Sequence, residues 1–134
     1  DLYGVKNKQP IWADNFIKAI SHSKIALNLS QGIASKYYTS DRFAQLIGNG
    51  LLVMIDRNTR YNNFFNKEEI VTYRNIKDLL EKIEKYSNDD LLRQKIAKKG
   101  RDKYFKYFNS TIIAEFMICK TFNVKKKFFW EGKG

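Results

Sequence analysis

Lys24-Ile25-Ala26-Leu27-Asn28-Leu29-Ser30, a loop over 31–39, Ser40-Asp41-Arg42-Phe43-Ala44-Gln45-Leu46-Ile47-Gly48-Asn49-Gly50, and Leu51-Leu52-Val53-Met54-Ile55-Asp56 form the stretch that decides the fold. Ile25, Leu27 and Leu29 alternate with Ala26 and Asn28, the period of a strand. Leu51 to Ile55 is an unbroken apolar run, which suits a strand covered on both faces. Between them, Ser40 is a good N-cap and Asp41 places a negative charge in the first turn, where the helix dipole favours it. Gly48-Asn49-Gly50 ends the helix, because glycine readily takes the left-handed conformation. Strand, helix and strand at this spacing predict a right-handed parallel crossover.

The helix has two faces. Phe43, Leu46 and Ile47 are spaced to meet the sheet, whereas Asp41, Arg42 and Gln45 share the other side near the N-terminal end. Open parallel sheets bind ligands beyond the carboxyl ends of their strands, where helix N-termini present free N–H groups. Ser40, Arg42 and the loop 31–39 are expected there. The same residues also fit a plain solvent-facing turn with an Arg42–Asp41 surface pair.

A chain of 134 residues, 43% hydrophobic and 15% aromatic, can bury an ordinary core as a single domain. It opens within Leu2-Tyr3-Gly4-Val5, which reads as the end of a strand and suggests the C-terminal part of a longer protein. No apolar stretch is long enough to span a bilayer, and no signal-peptide pattern is present. The lone Cys119 fits a reduced, cytoplasmic setting and a place in the core. A net charge of +11 raises nucleic acid, an anionic membrane surface or a phosphorylated substrate as partners. The lysines are spread along the chain, which favours solvated surface over a nucleic-acid stripe.

Outward from the central unit, residues 12–21 predict a helix with Trp12, Phe16, Ile17 and Ile20 on one face. His22 follows as a capping or surface residue. Residues 59–66 read as a short helix or turn, and 69–73 as a third strand. Asn75 caps a helix in which Asp78 would close a capping box, with Ile76, Leu79, Leu80 and Ile83 as its stripe. Glu81 and Lys85 are spaced as an ion pair. Asp89 and Asp90 open a basic helix whose buried side begins with Leu91, Leu92 and Ile96. Gly100 interrupts it, and Tyr104, Phe105 and Phe108 are spaced to pack inward. Asn109 can cap a last helix with Ile112, Ile113, Phe116 and Met117 as its stripe. Residues 121–134 are expected to be a flexible tail, in which Lys125-Lys126-Lys127-Phe128-Phe129-Trp130 could rest on an anionic membrane as a peripheral contact. So short a charged tail is expected to bury little.

The sequence holds no GxSxG, HExxH, CxxC, P-loop or GxGxxG motif, and a single His permits no Ser–His–Asp set. No metal-ligand cluster and no catalytic base can be named.

The order Leu27-Asn28-Leu29-Ser30, then Ser40 to Gly50, then Leu51-Leu52 resembles the C-terminal domain of GT-B glycosyltransferases of the group 1 type. It is closest to the spore-maturation-protein-like branch, whose pattern is an Arg, a Glu three residues later and a Gly five beyond that. Val71-Thr72-Tyr73-Arg74, Leu79-Leu80, Ile83, Leu92-Arg93, Ile96-Ala97 and Gly100 are similar to that family's ending, so that the resemblance covers residues 20–118. It implies a Rossmann-like α/β domain, a parallel sheet with helices on both faces, forming the C-terminal half of the GT-B fold. Such a domain holds a nucleotide-sugar donor as substrate against an N-terminal acceptor domain, with no required metal or other cofactor. The final helix resembles the one that crosses back to the N-terminal domain, so the excess apolar surface of 109–120 is expected to dock on that half, with the membrane contact confined to 125–130. Carried over, Ser40 and Arg42 face the donor diphosphate, Lys36 is a second phosphate contact, Ser30 lies beside them, and Gln45 stands where the family has the Glu that bonds the ribose. A Gln can accept one hydroxyl hydrogen bond but lacks the carboxylate charge. The acidic residue of related branches is replaced by Tyr37. A sugar transferase that is inactive as this chain alone is therefore the leading expectation. A non-catalytic scaffold of the same fold, favoured by Gln45, and a basic nucleic-acid-binding domain are the rivals.

Overall fold

The computed structural model describes residues 9–29 and 32–132. The strand expected at 2–5 and the donor residue Ser30 lie outside them. The described chain is α/β: a three-stranded parallel sheet in the order β1-β2-β3, flanked by helices on both faces. The elements are α1 (Ala13–Ser21), β1 (Ile25–Asn28), α2 (Asp41–Gly48), β2 (Leu52–Asp56), β3 (Val71–Tyr73), α3 (Ile76–Asn88), α4 (Asp90–Tyr107) and α5 (Ser110–Thr121). Two 3-10 turns, Arg57–Thr59 and Tyr61–Asn63, fill the segment after β2.

β2 is the central strand because both of its faces are apolar. Val53 and Ile55 join Phe43, Leu46 and Ile47 of α2 with Phe65 and Ile70 on one face. Leu52 and Met54 join Val71, Tyr73, Leu79 of α3 and Ile96 and Ala97 of α4 on the other. This is the strand period of two, with a buried layer on each side. Parallel pairing sets Ile25 against Leu52 and Met54 against Val71, as the crossover reading required.

Side-chain placement departs from the periodicity wherever an element lies at the margin. In β1 it is Ala26 and Asn28 that are buried, while Leu27, and Leu29 just after the strand, are exposed; among the described residues β1 has one strand neighbour, β2. Trp12 is only the N-cap of α1 and is 77% exposed, and Ile17 is exposed as well. In α3 only Leu79 is fully buried, and Ile76 and Leu80 face outward. Leu91 is 83% exposed at the start of α4, whereas Arg93 is buried against Asp90 and the Tyr86 carbonyl. Phe105 turns outward beneath the Arg101 guanidinium. Lys85 lies over the Tyr86 ring, and no ion pair joins it to Glu81 among the described residues.

The helix caps are mostly those the residues suggest. Asn75, Asp89 and Asn109 each accept a backbone N–H of the first turn, from Asp78, Leu92 and Ile112. The capping box at α3 is displaced by one residue: the Asp78 carboxylate accepts from the Arg74 N–H rather than from the Asn75 N–H.

The α2 face of the core is aromatic. The Phe43 ring lies 4.9 Å from Tyr61 and 5.8 Å from Phe65. Burial pushes the Tyr61 phenol up to about 12 from its ordinary 10.0, helped by Tyr104. The unfolded chain therefore releases this proton first, and the stability involved is complete below pH 10 and is lost as the pH rises towards 12. Denaturant midpoints measured across that window should fall for the native protein and fall less for Tyr61→Phe. Equal slopes for the two proteins would reject this role for Tyr61.

Candidate functional site

The carboxyl end of β1 and the N-terminus of α2 meet in one polar chain. Asn28, the last residue of β1, is only 3% exposed. Its amide nitrogen donates to Thr39 Oγ1 at 2.8 Å, and its carbonyl accepts from Ser40 Oγ at 3.5 Å. Arg42 Nε donates to the same Ser40 oxygen at 3.3 Å. A buried amide with both ends bonded holds the loop end and the start of α2 in register with the strand.

Ser40 is the N-cap of α2 by position, but its hydroxyl makes no capping bond. This corrects the reading of Ser40 as an ordinary cap: the pull of Asn28 and Arg42 takes its oxygen away from the helix. The first-turn amides of Asp41 and Arg42 consequently have no partner among the described residues. Free N–H groups at the positive end of a helix, beside a guanidinium, attract an anion.

The proposed donor residues are not all brought together. Arg42 and Gln45 line an open groove of about 1150 Å³ between α1 and α2, with Trp12, Phe16, Lys18 and His22 along its other wall. Gln45 lines the groove, and its side-chain amide has no hydrogen-bond partner among the described residues. Lys36 stands apart, its ammonium 4.7 Å from the centre of the Tyr37 ring. His22 is the C-cap of α1, where Nδ1–H donates to the Lys18 carbonyl at 2.7 Å, a structural task.

The loop before α2 is anchored through Tyr37, which takes a left-handed backbone (φ 60°). Its N–H donates to the Thr59 carbonyl at 2.8 Å, its hydroxyl accepts from Asn63 at 2.9 Å, and its ring meets Phe64 at 5.1 Å. The loops that follow β1 and β2 are thus tied to each other. Sequence reasoning missed Asn28, Thr39 and Tyr37 as supports of the site. The signal for Asn28 was an uncharged polar residue closing an apolar strand; Tyr37 gave none. Among the described residues no three His, Cys, Asp or Glu side chains gather into a metal-sized cluster, and no helix is long and apolar enough to cross a membrane.

A family model described as glycosyl transferase-like matches residues 1–118. The chain belongs to that family. No curated protein and no solved structure gives a significant match. The matched span of this glycosyltransferase domain includes the whole sheet, the Asn28–Ser40–Arg42 chain and most of α5, and it stops short of the tail.

Proposed function

We propose that this glycosyltransferase domain is the donor-binding half of a GT-B enzyme of the group 1 type, near the spore-maturation-protein-like branch. It binds a nucleotide-sugar and presents it to an acceptor held by an N-terminal domain. The observation that carries the reading is the uncapped N-terminus of α2, with Ser40 drawn aside and Arg42 beside the free amides. Those amides and Arg42 would hold the diphosphate. Gln45, on the same wall of the groove, would accept one ribose hydroxyl through its carbonyl. Ser30 and Lys36 complete the expected donor set, and Lys36 would have to leave the Tyr37 ring to serve as a second cation on the phosphates.

The chemistry asked of these groups is leaving-group stabilisation. When the sugar–phosphate bond breaks, its electron pair departs with the nucleoside diphosphate. Fixed N–H groups and a guanidinium aimed at that oxygen lower the barrier because they need no reorganisation as the charge develops. The alternative, a scaffold of the same fold without donor chemistry, is favoured by Gln45, which cannot supply the carboxylate of the resembled enzymes.

A uridine- or guanosine-diphosphate sugar should raise the melting temperature of the protein carrying both halves. Arg42→Ala should weaken donor binding about tenfold or more, the loss of one charge-assisted hydrogen-bonding group, and remove most of the shift. A full shift in the variant would reject the role of Arg42. The absence of any shift with either donor would leave the scaffold reading.

A further inference from the structure

We propose that the corner formed by the C-terminal end of α5 and the following turn docks this protein on an anionic lipid bilayer. α5 carries only two charged residues, Glu115 and Lys120, and the domain covers only half of its apolar surface. Phe116 and Cys119 pack inward, Phe116 against Phe128 and Trp130. The opposite half presents Ile113, Ala114, Met117, Ile118 and Phe122, residues spaced four apart in two adjacent rows. Phe122 is 73% exposed, Met117 62% and Ile118 57%. Ser110, Thr111 and Thr121 complete this face, so it carries no charge in a chain that is 29% charged.

The chain then reverses. Asn123 takes a left-handed backbone (φ 56°), and the Val124 N–H donates to the Cys119 carbonyl at 2.8 Å. This turn leaves Val124 exposed and brings Lys125, Lys126 and Lys127 back beside the helix end. Together with Lys120 they line a hollow of about 660 Å³ whose only acidic lining residue, among the described residues, is Glu131. Lys120 is paired with Glu131 and Lys126 with Glu115, whereas Lys125 and Lys127 have no ion-pair partner among the described residues.

Charge and apolarity together select the occupant. A soluble anion would use the lysines and leave Phe122, Ile118 and Met117 in water. An apolar protein surface would cover the rings and leave Lys125 and Lys127 unneutralised. At the boundary of an anionic bilayer the apolar row enters the acyl region and the ammonium groups meet the phosphates. The aromatic run Phe128-Phe129-Trp130 does not serve, because those rings are engaged with Tyr107, Phe108 and Phe116.

The test is co-sedimentation of the whole chain with vesicles of phosphatidylcholine alone, or of equal parts phosphatidylcholine and phosphatidylglycerol. Binding is expected to the second only, falling as salt rises. Lys125→Gln with Lys127→Gln should weaken it about thirtyfold, from ~1 kcal/mol for each lysine near the surface. Ile118→Ser with Phe122→Ser, at exposed positions, should abolish it at an unchanged unfolding midpoint. Phe122→Trp should add blue-shifted emission over the parent protein when anionic vesicles are present. No binding to the anionic vesicles overturns the proposal. Undiminished binding of the serine variant also overturns it, by reducing the contact to charge alone. So does displacement by inorganic phosphate at constant ionic strength, which would make the hollow a soluble-anion site.

Discussion

Gly100→Ala is expected to cost this domain about 3 kcal/mol, although alanine is the better helix former by about 1 kcal/mol. Gly100 is a buried residue within α4, and its backbone lies against the segment that leads into β3. A Cβ there would sit 2.1 Å from the Glu69 carbonyl oxygen and 3.5 Å from Ile47 Cδ1. The obstacle is backbone, so no rotamer change relieves it. Nor can the segment retreat freely, because it is clamped from both sides of Gly100. Lys103 Nζ donates to the Glu69 carboxylate at 2.6 Å in a half-buried pair, and Lys99 bonds Glu68. The Glu69 carboxylate also accepts from the Asn66 N–H at 2.8 Å, closing the turn. Either these bonds lengthen together or α4 lifts from α2 and the sheet. Denaturant titration should show the midpoint falling, with a loss in melting temperature on the order of 10 °C for a domain of this size. A midpoint that is unchanged or raised would mean that the close approach is absent in solution and that helix propensity alone decides.

Phe128→Ala is expected to cost about 3 kcal/mol, and removal of 125–134 at least as much. This outcome replaces the expectation that the tail buries little. Phe128 is 5% exposed, set edge-on to Phe116 at 5.2 Å and stacked on Trp130 at 5.5 Å. Trp130 in turn stacks on Phe108 at 5.5 Å, and Phe129 on Tyr107 at 4.2 Å. Phe108 stacks on Phe65, a member of the main core. The tail is therefore continuous with the core through a chain of rings, and α5 is held to the domain largely through it. Hydrogen exchange should accelerate across 110–121 in Phe128→Ala along with the fall in global stability. An unchanged midpoint with unchanged protection of α5 would sink the claim. The basic charge of Lys125 to Lys127 hid this packing in the sequence, because charge density says nothing about where the intervening rings turn.

The two predictions mark where sequence reading was informative and where it was not. The parallel crossover was legible because local signals agreed: an apolar run for β2, a cap residue and a glycine stop for α2, and a helix-length connection. The positions of Arg42 and Gln45 on one side of α2 followed from the turn of the helix, and both line the groove. The site's supports were not legible. Asn28 and Tyr37 act through partners 11 and 26 residues away, and periodicity carries no information at that range.

By itself the sequence determined the order and kind of the elements, the two apolar faces of β2 and the helical face that carries Arg42 and Gln45. These depend on backbone geometry with a fixed period, which any stretch expresses locally. Tertiary structure alone decided which apolar residues are covered, that the Ser40 hydroxyl serves Asn28 and Arg42 instead of capping α2, that Gly100 meets the Glu69 backbone, and that the tail rings join the core. Each of these is a contact between distant segments, and its free energy depends on the separation and orientation of surfaces that exist only once the chain has folded.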